Sequence, residues 1–187
     1  GSNLEDVGQF ELRERVFGIS GAALLIRRRF YEDVQVFGQF LDEDFFAYRE
    51  DADLAWRGRL LGWEALYEPQ ARALHCRQVL PTNRKNVDPA INFHSVKNRY
   101  LMRIKNIDRA VRKKCFPYMW LRDLGILFYV VAIERESLKA LSAVRRLKPR
   151  MHLKRLEIQG RRRVGPEALA GWFSFKPVSL PIETRKE

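Results

Sequence analysis

The chain of 187 residues is poor in cysteine, with only Cys76 and Cys115. Two thiols build neither a disulfide framework nor a four-thiolate zinc site, which excludes the small secreted scaffolds that depend on them. A long apolar run is also missing. The longest, residues 124–133, has ten residues, whereas a helix needs about 20 to cross a bilayer. No ordinary membrane span is therefore expected. No secretory signal pattern opens the chain, so a cytoplasmic setting is the default expectation. Acidic residues are in deficit, 23 against 35 Lys and Arg, which leaves a formal charge of +12. Apolar and aromatic residues, at 46% and 12%, are plentiful enough for a packed core and argue against disorder.

The positive charge is localised. Residues 1–96 carry 12 basic and 15 acidic side chains, residues 97–163 carry 20 and 5, and residues 164–187 carry 3 of each. A field confined to one stretch points to a polyanion: nucleic acid, an anionic membrane surface or a phosphorylated ligand. The same stretch holds Tyr118-Met119-Trp120-Leu121 and the apolar run. Apolar and aromatic residues interleaved with Lys and Arg suit a membrane surface better than nucleic acid. A solvated helical face is the plainer alternative.

Hydropathy patterning predicts alternating elements in the first half. Residues 16–26 read as a buried strand and residues 30–37 as a short helix ended by Gly38. A helix over residues 50–61 carries Glu50, Asp51 and Asp53 first and Arg57 and Arg59 later, the order its dipole prefers; Gly62 is placed to end it. Residues 65–68 and 71–76 read as strands, and the whole as an α/β layer with a mostly parallel or mixed sheet. Beyond a turn-rich connection at 81–89 the pattern is helical over 93–107. Pro117 is placed to open a further helix, a basic segment follows Pro149, and a short helix spans 166–173.

Three groups of residues then stand out in order: Gly18, Ser20, Gly21 and Ala22; the run D-E-D-F-F-A-Y-R-E-D-A-D-L from Asp42, with Arg57; and Gly62-Trp63, Pro69, Ala71 and His75. This combination resembles family 2 glycosyltransferases of the GT-A fold, and most of all bacterial rhamnosyltransferase-like members that build surface polysaccharides. The resemblance covers about residues 6–107. It implies an α/β fold in which residues 3–107 are the C-terminal half of a GT-A (Rossmann-like) catalytic domain. The nucleotide-binding half and its metal-binding D-x-D are expected upstream. A basic, α-helical, membrane-associated tail over 108–175 and a loose C-terminus over 176–187 complete the expected organisation. By itself such a fragment is expected to be inactive.

The resemblance also implies chemistry. An acceptor hydroxyl attacks the anomeric carbon of a nucleotide-sugar donor, opposite the departing diphosphate, and a carboxylate takes its proton. That base maps onto Asp51. Glu50, Ser20, Gly21, Ala22, Asp44 and Tyr48 map to the acceptor side. His75 maps to a ligand of a divalent cation, Mg2+ or Mn2+, that offsets charge on the diphosphate. The acceptor would be a glycan or a lipid-linked sugar, and the enzyme would rest on the cytoplasmic face of an anionic membrane. Read without the resemblance, Asp51 is a helix-dipole carboxylate, Asp53 pairs with Arg57 one turn on, and His75 is a hydrogen-bonded strand histidine. Two other functions stay open: a basic nucleic-acid-binding module, the less expected, and a non-catalytic membrane-associated scaffold.

Overall fold

The computed structural model describes residues 7–73, 88–132, 138–173 and 180–181. Their order is β1 (Glu14–Val16), α1 (Arg28–Asp33), α2 (Glu50–Leu60), β2 (Ala65–Tyr67), α3 (Pro89–Asn106), α4 (Arg109–Ala132), α5 (Leu138–Gly160), α6 (Pro166–Gly171) and β3 (Leu180–Pro181). The sheet runs β2-β1-β3, and both pairings are antiparallel, with Arg15 opposite Leu66 and Leu180. These strands do not form the mostly parallel or mixed layer that the pattern suggested.

Several local expectations change. Residues 17–27 are not a strand: the chain leaves β1 at Val16, and Leu25 is 96% exposed. Here the backbone follows α2 instead of a ladder, and glycine permits the approach, since a Cβ on Gly18 would fall 2.2 Å from that of Ala55. The helix expected over 30–37 is α1, shifted to Arg28–Asp33. Residues 71–73 have no regular structure, and the rest of the strand expected over 71–76 lies outside the described residues. Pro117 does not open a helix but lies inside α4, and Pro149 lies inside α5. A proline removes one backbone bond from a helix. In α5 the helix continues because residues on both sides of Pro149 are buried, Ala140 and Ala143 before it and Met151, Lys154 and Ile158 after it.

α2 matches the sequence pattern. It starts at Glu50 and ends before Gly62, whose φ of +82° is a left-handed conformation that suits glycine. Trp56 and Leu60 from α2 share a core with Val36, Val111 of α4, Ile158 of α5, and Leu169 and Ala170 of α6. A second cluster joins Phe45, Leu101 and Met151. The helices after residue 107 are thus packed into the same core as α2, not appended to it as a separate tail.

Between these apolar clusters lies an ionic knot. Asp53 on α2 is fully buried, and its Oδ2 accepts from Arg57 Nε at 2.8 Å and Lys105 Nζ at 2.7 Å, its Oδ1 from Asn106 Nδ2 at 2.6 Å. Lys105 also reaches Asp42 at 2.5 Å, and Lys154 of α5 bridges Asp42 at 2.5 Å and Asp44 at 2.7 Å. Arg57 donates to the Val34 and Phe40 carbonyls at 2.6 and 2.9 Å. Burying these charges costs several kcal/mol per ion. The mutual pairing and the added hydrogen bonds are what make the arrangement tolerable.

The turn leading into α2 is strained. Phe46, Tyr48 and Arg49 have φ of 63°, 68° and 70°, left-handed values at non-glycine residues, which cost about 1–3 kcal/mol each. The neighbouring helix imposes them. Asn98 Nδ2 donates to the carbonyls of Phe45, Ala47 and Tyr48 at 2.9, 2.6 and 2.7 Å, and Lys97 Nζ donates to that of Asp44 at 2.6 Å.

Asp53→Asn leaves Lys105 and Arg57 with one fewer buried counter-charge, and a loss of about 3–5 kcal/mol in chemical denaturation is expected. Burial by itself would raise the carboxyls of Asp53 and Asp42, but Lys105, aided by Arg57 at Asp53 and by Lys154 at Asp42, holds both below the usual range. Their contribution is therefore present above the unfolded-state value of about 4 and is lost as pH falls below it. A pH titration of the melting temperature should show this acid limb, and it should shrink in Asp53→Asn. Asn98→Ala should cost about 1–3 kcal/mol, because three buried or half-buried carbonyls lose a donor.

Candidate active site

The first turn of α2 brings the expected catalytic residues to the surface of the ionic knot. Asp51, at the second position of the helix, is half-buried. Its Oδ2 accepts the backbone N–H of Gly21 at 3.1 Å and its Oδ1 that of Ala52 at 2.7 Å. A Cβ on Gly21 would lie 3.6 Å from Asp51 Cβ, an ordinary packing contact. Ser20, Gly21 and Ala22 are exposed, and Ala22 N–H reaches back to Ser20 Oγ at 3.4 Å, a weak local turn. Thirty residues apart in sequence, this loop and Asp51 meet as one feature.

Glu50 precedes Asp51 directly. Its Oε2 is buried and has no hydrogen-bond partner among the described residues, an uncommon condition for a buried carboxylate oxygen. A hydroxyl presented beside Asp51 would supply the donor it lacks. Arg49, on the other side of Glu50, donates from Nε to the Ser95 carbonyl at 3.3 Å, which ties this turn to α3.

The other acceptor-side expectations fall elsewhere. Asp44 belongs to the ionic knot, its carboxylate held by Lys154 at 2.7 Å and Arg150 at 3.1 Å. Tyr48 is 37% exposed in the strained turn, and its carbonyl is one of those held by Asn98. Asp53 is a structural hub, as its spacing to Arg57 suggested. His75 lies outside the described residues. Among the described residues no three His, Cys, Asp or Glu side chains converge as a metal centre, and the carboxylates of Asp42, Asp44 and Asp53 are occupied by lysine and arginine.

Sequence reasoning missed Lys97, Asn98, Lys105 and Lys154, which position the turn. A signal was present: 97, 101 and 105 share one helical face by i, i+4 spacing, and Leu101 on that face is fully buried between the two lysines. The charge asymmetry also has an internal explanation. Lys97, Lys105, Lys154, Arg161, Arg162 and Arg163 all bond acidic or carbonyl groups of the fold, among them Asp33, which Arg163 grips at 2.7 Å through both nitrogens. Part of the basic stretch is thus engaged within the fold, which weakens the nucleic-acid reading.

One helix among the described residues, α4, is long and apolar enough by length and composition to cross a membrane, although its uninterrupted apolar run is short. That overturns the expectation that no segment qualifies. Two observations hold α4 to the fold: Val111 and Val130 are buried, and Asp123 is clasped by Arg103 at 2.8 and 2.9 Å.

No protein-family model matches the chain, and no solved structure matches it. A stretch of 68 residues, 36% of the chain, is 41% identical to N-acetylglucosaminyl-diphospho-decaprenol L-rhamnosyltransferase of Mycobacterium tuberculosis, in strains CDC 1551 / Oshkosh and ATCC 25618 / H37Rv. A weaker similarity, 23% over 103 residues, is to the large tegument protein deneddylase of Saimiriine herpesvirus 2 (strain 11), of which it covers 4%. The matched stretch spans about a fifth of the rhamnosyltransferases, 21% of their length. Over that stretch, the chain is related to a glycosyltransferase.

Proposed function

We propose that the chain is part of an inverting glycosyltransferase, the C-terminal half of a GT-A catalytic domain. It would move a hexose or deoxyhexose, rhamnose by the likeness to the mycobacterial rhamnosyltransferases, from a nucleotide-sugar donor to a glycan acceptor, here taken as lipid-linked, in surface polysaccharide synthesis. The observation that carries this reading is the carboxylate of Asp51, fixed by the Gly21 N–H and flanked by the unpartnered Oε2 of Glu50. A general base must be held within hydrogen-bond reach of the proton that it removes. Each oxygen of Asp51 accepts one backbone N–H and keeps lone-pair capacity for a hydroxyl. Glu50 accepts from the acceptor and orients it, while the exposed Ser20–Gly21–Ala22 loop leaves room above the carboxylate.

A divalent cation, Mg2+ or Mn2+, with His75 among its ligands, belongs to the same proposal; its chemistry is to offset charge on the departing diphosphate. The described residues do not form that centre alone, so the steps assigned to Asp51 and Glu50 are proton removal and acceptor orientation only.

The proposal also rests α4 on an anionic membrane at the cytoplasmic face. Phe116, Trp120, Leu124, Leu127 and Val131 recur at i, i+3 and i+4 spacing and are 57%, 57%, 44%, 45% and 50% exposed. Arg109, Arg112, Lys113 and Lys114 are exposed at the same helix's N-terminal end. An apolar stripe beside cationic side chains suits the headgroup zone. Spanning would require withdrawing Val130 and Asp123 from α3, which favours the in-plane orientation.

In the complete enzyme, Asp51→Asn should lower sugar transfer by about 10²–10⁴-fold, the usual contribution of a general base, with donor binding nearly intact. A variant that turns over normally refutes the assignment. Vesicles containing anionic lipid should shift the tryptophan emission of this chain to the blue at low salt, and Trp120→Ser should reduce the shift. No shift on either neutral or anionic vesicles removes the membrane from the proposal.

A further inference from the structure

A cleft of about 240 Å³ opens between α3 and α4, lined by Ser95, Val96, Arg99, Arg122, Ile126, Tyr129 and Val130. Its composition is unusual: two guanidiniums set among four apolar or aromatic side chains. Neither Arg99 nor Arg122 forms an ion pair among the described residues, whereas the neighbouring Arg103 pairs with Asp123 at 2.8 Å. The cleft also borders the catalytic turn. Ser95, on its wall, is the residue whose carbonyl receives Arg49, and Arg49 stands two positions before Asp51.

Three like charges gather here against their own repulsion. Burial, and then the proximity of Arg49 and Arg122, pushes Arg99 down to about 10. Asp123 offsets part of that repulsion at Arg99, but its carboxylate is clasped by Arg103, so an anion joining Arg99 and Arg122 would relieve the remainder. Guanidinium pairs match the oxygens of phosphate groups, often bidentately. The apolar half of the cleft is continuous along α4 with a helix whose side chains Leu127, Phe128 and Val131 are exposed. A headgroup held by Arg99 and Arg122 would therefore have an apolar surface on which to lay an attached hydrocarbon chain.

We propose that this cleft binds the diphosphate of a lipid-linked acceptor, with Arg99 and Arg122 on its oxygens and its isoprenoid chain leaving along Ile126, Tyr129 and Val130. The inference rests on the lipid-acceptor reading above and assigns the part of this chain that would receive the diphosphate. Its placement makes chemical sense, since a sugar attached to that diphosphate lies next to the anchor point and so close to the turn that carries Asp51.

Calorimetric titration of the 187-residue chain with farnesyl diphosphate, farnesol, inorganic pyrophosphate and uridine diphosphate tests it. Farnesyl diphosphate should bind more tightly than the other three by about tenfold or more, since only it offers both the anion and the chain. Arg99→Gln and Arg122→Gln should each weaken it by about tenfold, and Arg29→Gln, an exposed charge on α1 away from the cleft, should not. Arg122 is exposed, so its variant is expected to keep the parent melting temperature, and weakened binding there cannot be attributed to unfolding. Unchanged affinity in Arg122→Gln overturns the proposal, as does equal loss in Arg29→Gln, which would mark a diffuse charge effect. Equal or tighter binding of pyrophosphate makes this a free-phosphate site, and tighter uridine diphosphate makes it a donor site; either overturns it too. Loss of transfer in Asp51→Asn together with unchanged lipid binding in both arginine variants would defeat this inference alone and leave the proposed function standing.

Discussion

The buried knot of Asp42, Asp53, Lys105, Lys154 and Arg57 is the interaction on which the rest depends. It joins α2, α3, α5 and the segment before α2 at one point. Such an assembly is stable only when every charge finds a partner, because an unpaired ion in the interior costs more than an apolar replacement would. That requirement fixes the rotation of α2 about its axis. With Asp53 turned fully inward, Asp51, two residues earlier, is turned toward the edge of the packing. The exposure of the proposed base is thus a consequence of burying its neighbour.

The same economy of residues explains the strained turn. Three left-handed non-glycine residues in four positions would relax in an isolated peptide. Asn98 and Lys97 hold their carbonyls from α3, and the ionic knot anchors both flanks through Asp44 and Asp53. Rigidity of this kind suits a catalytic carboxylate, whose usefulness depends on a fixed distance to the reacting proton. On the opposite side, residues 20–25 contribute one backbone donor and otherwise stay open, so the site combines a fixed floor with an accessible rim.

The basic half of the chain serves two purposes that composition alone merges into one. Residues such as Lys105, Lys154 and Arg161 face acidic groups from the first half and complete the fold. Others, Arg99, Arg122, Arg109, Arg112 and Lys113, form no ion pair among the described residues and leave positive charge at the surface and the cleft. The α4 stripe lies among this second set. The proposed membrane surface and lipid diphosphate would be ligands of the charge left over after folding.

The linear pattern determined α2 almost to the residue, because acids first, arginines last and a terminal glycine all act locally on one helix. It also determined the Asp53–Arg57 pair, the helical nature of residues 93–106, and the grouping of the glycine loop with the acidic run through a family likeness. It misplaced the strand at 16–26 and the helix start at Pro117, and the described strands pair antiparallel where a mostly parallel or mixed sheet was expected, since strand partners and tolerance of an internal proline depend on neighbours distant in sequence. Only the tertiary structure decided that Gly21 meets Asp51, that Asp44 faces Lys154 rather than the acceptor side, and that helices expected as a peripheral tail enclose the core. The physical reason is the same in each case. Helix signals are carried by contacts within a turn or two, whereas buried charge pairing and close backbone approach join residues that no local pattern relates.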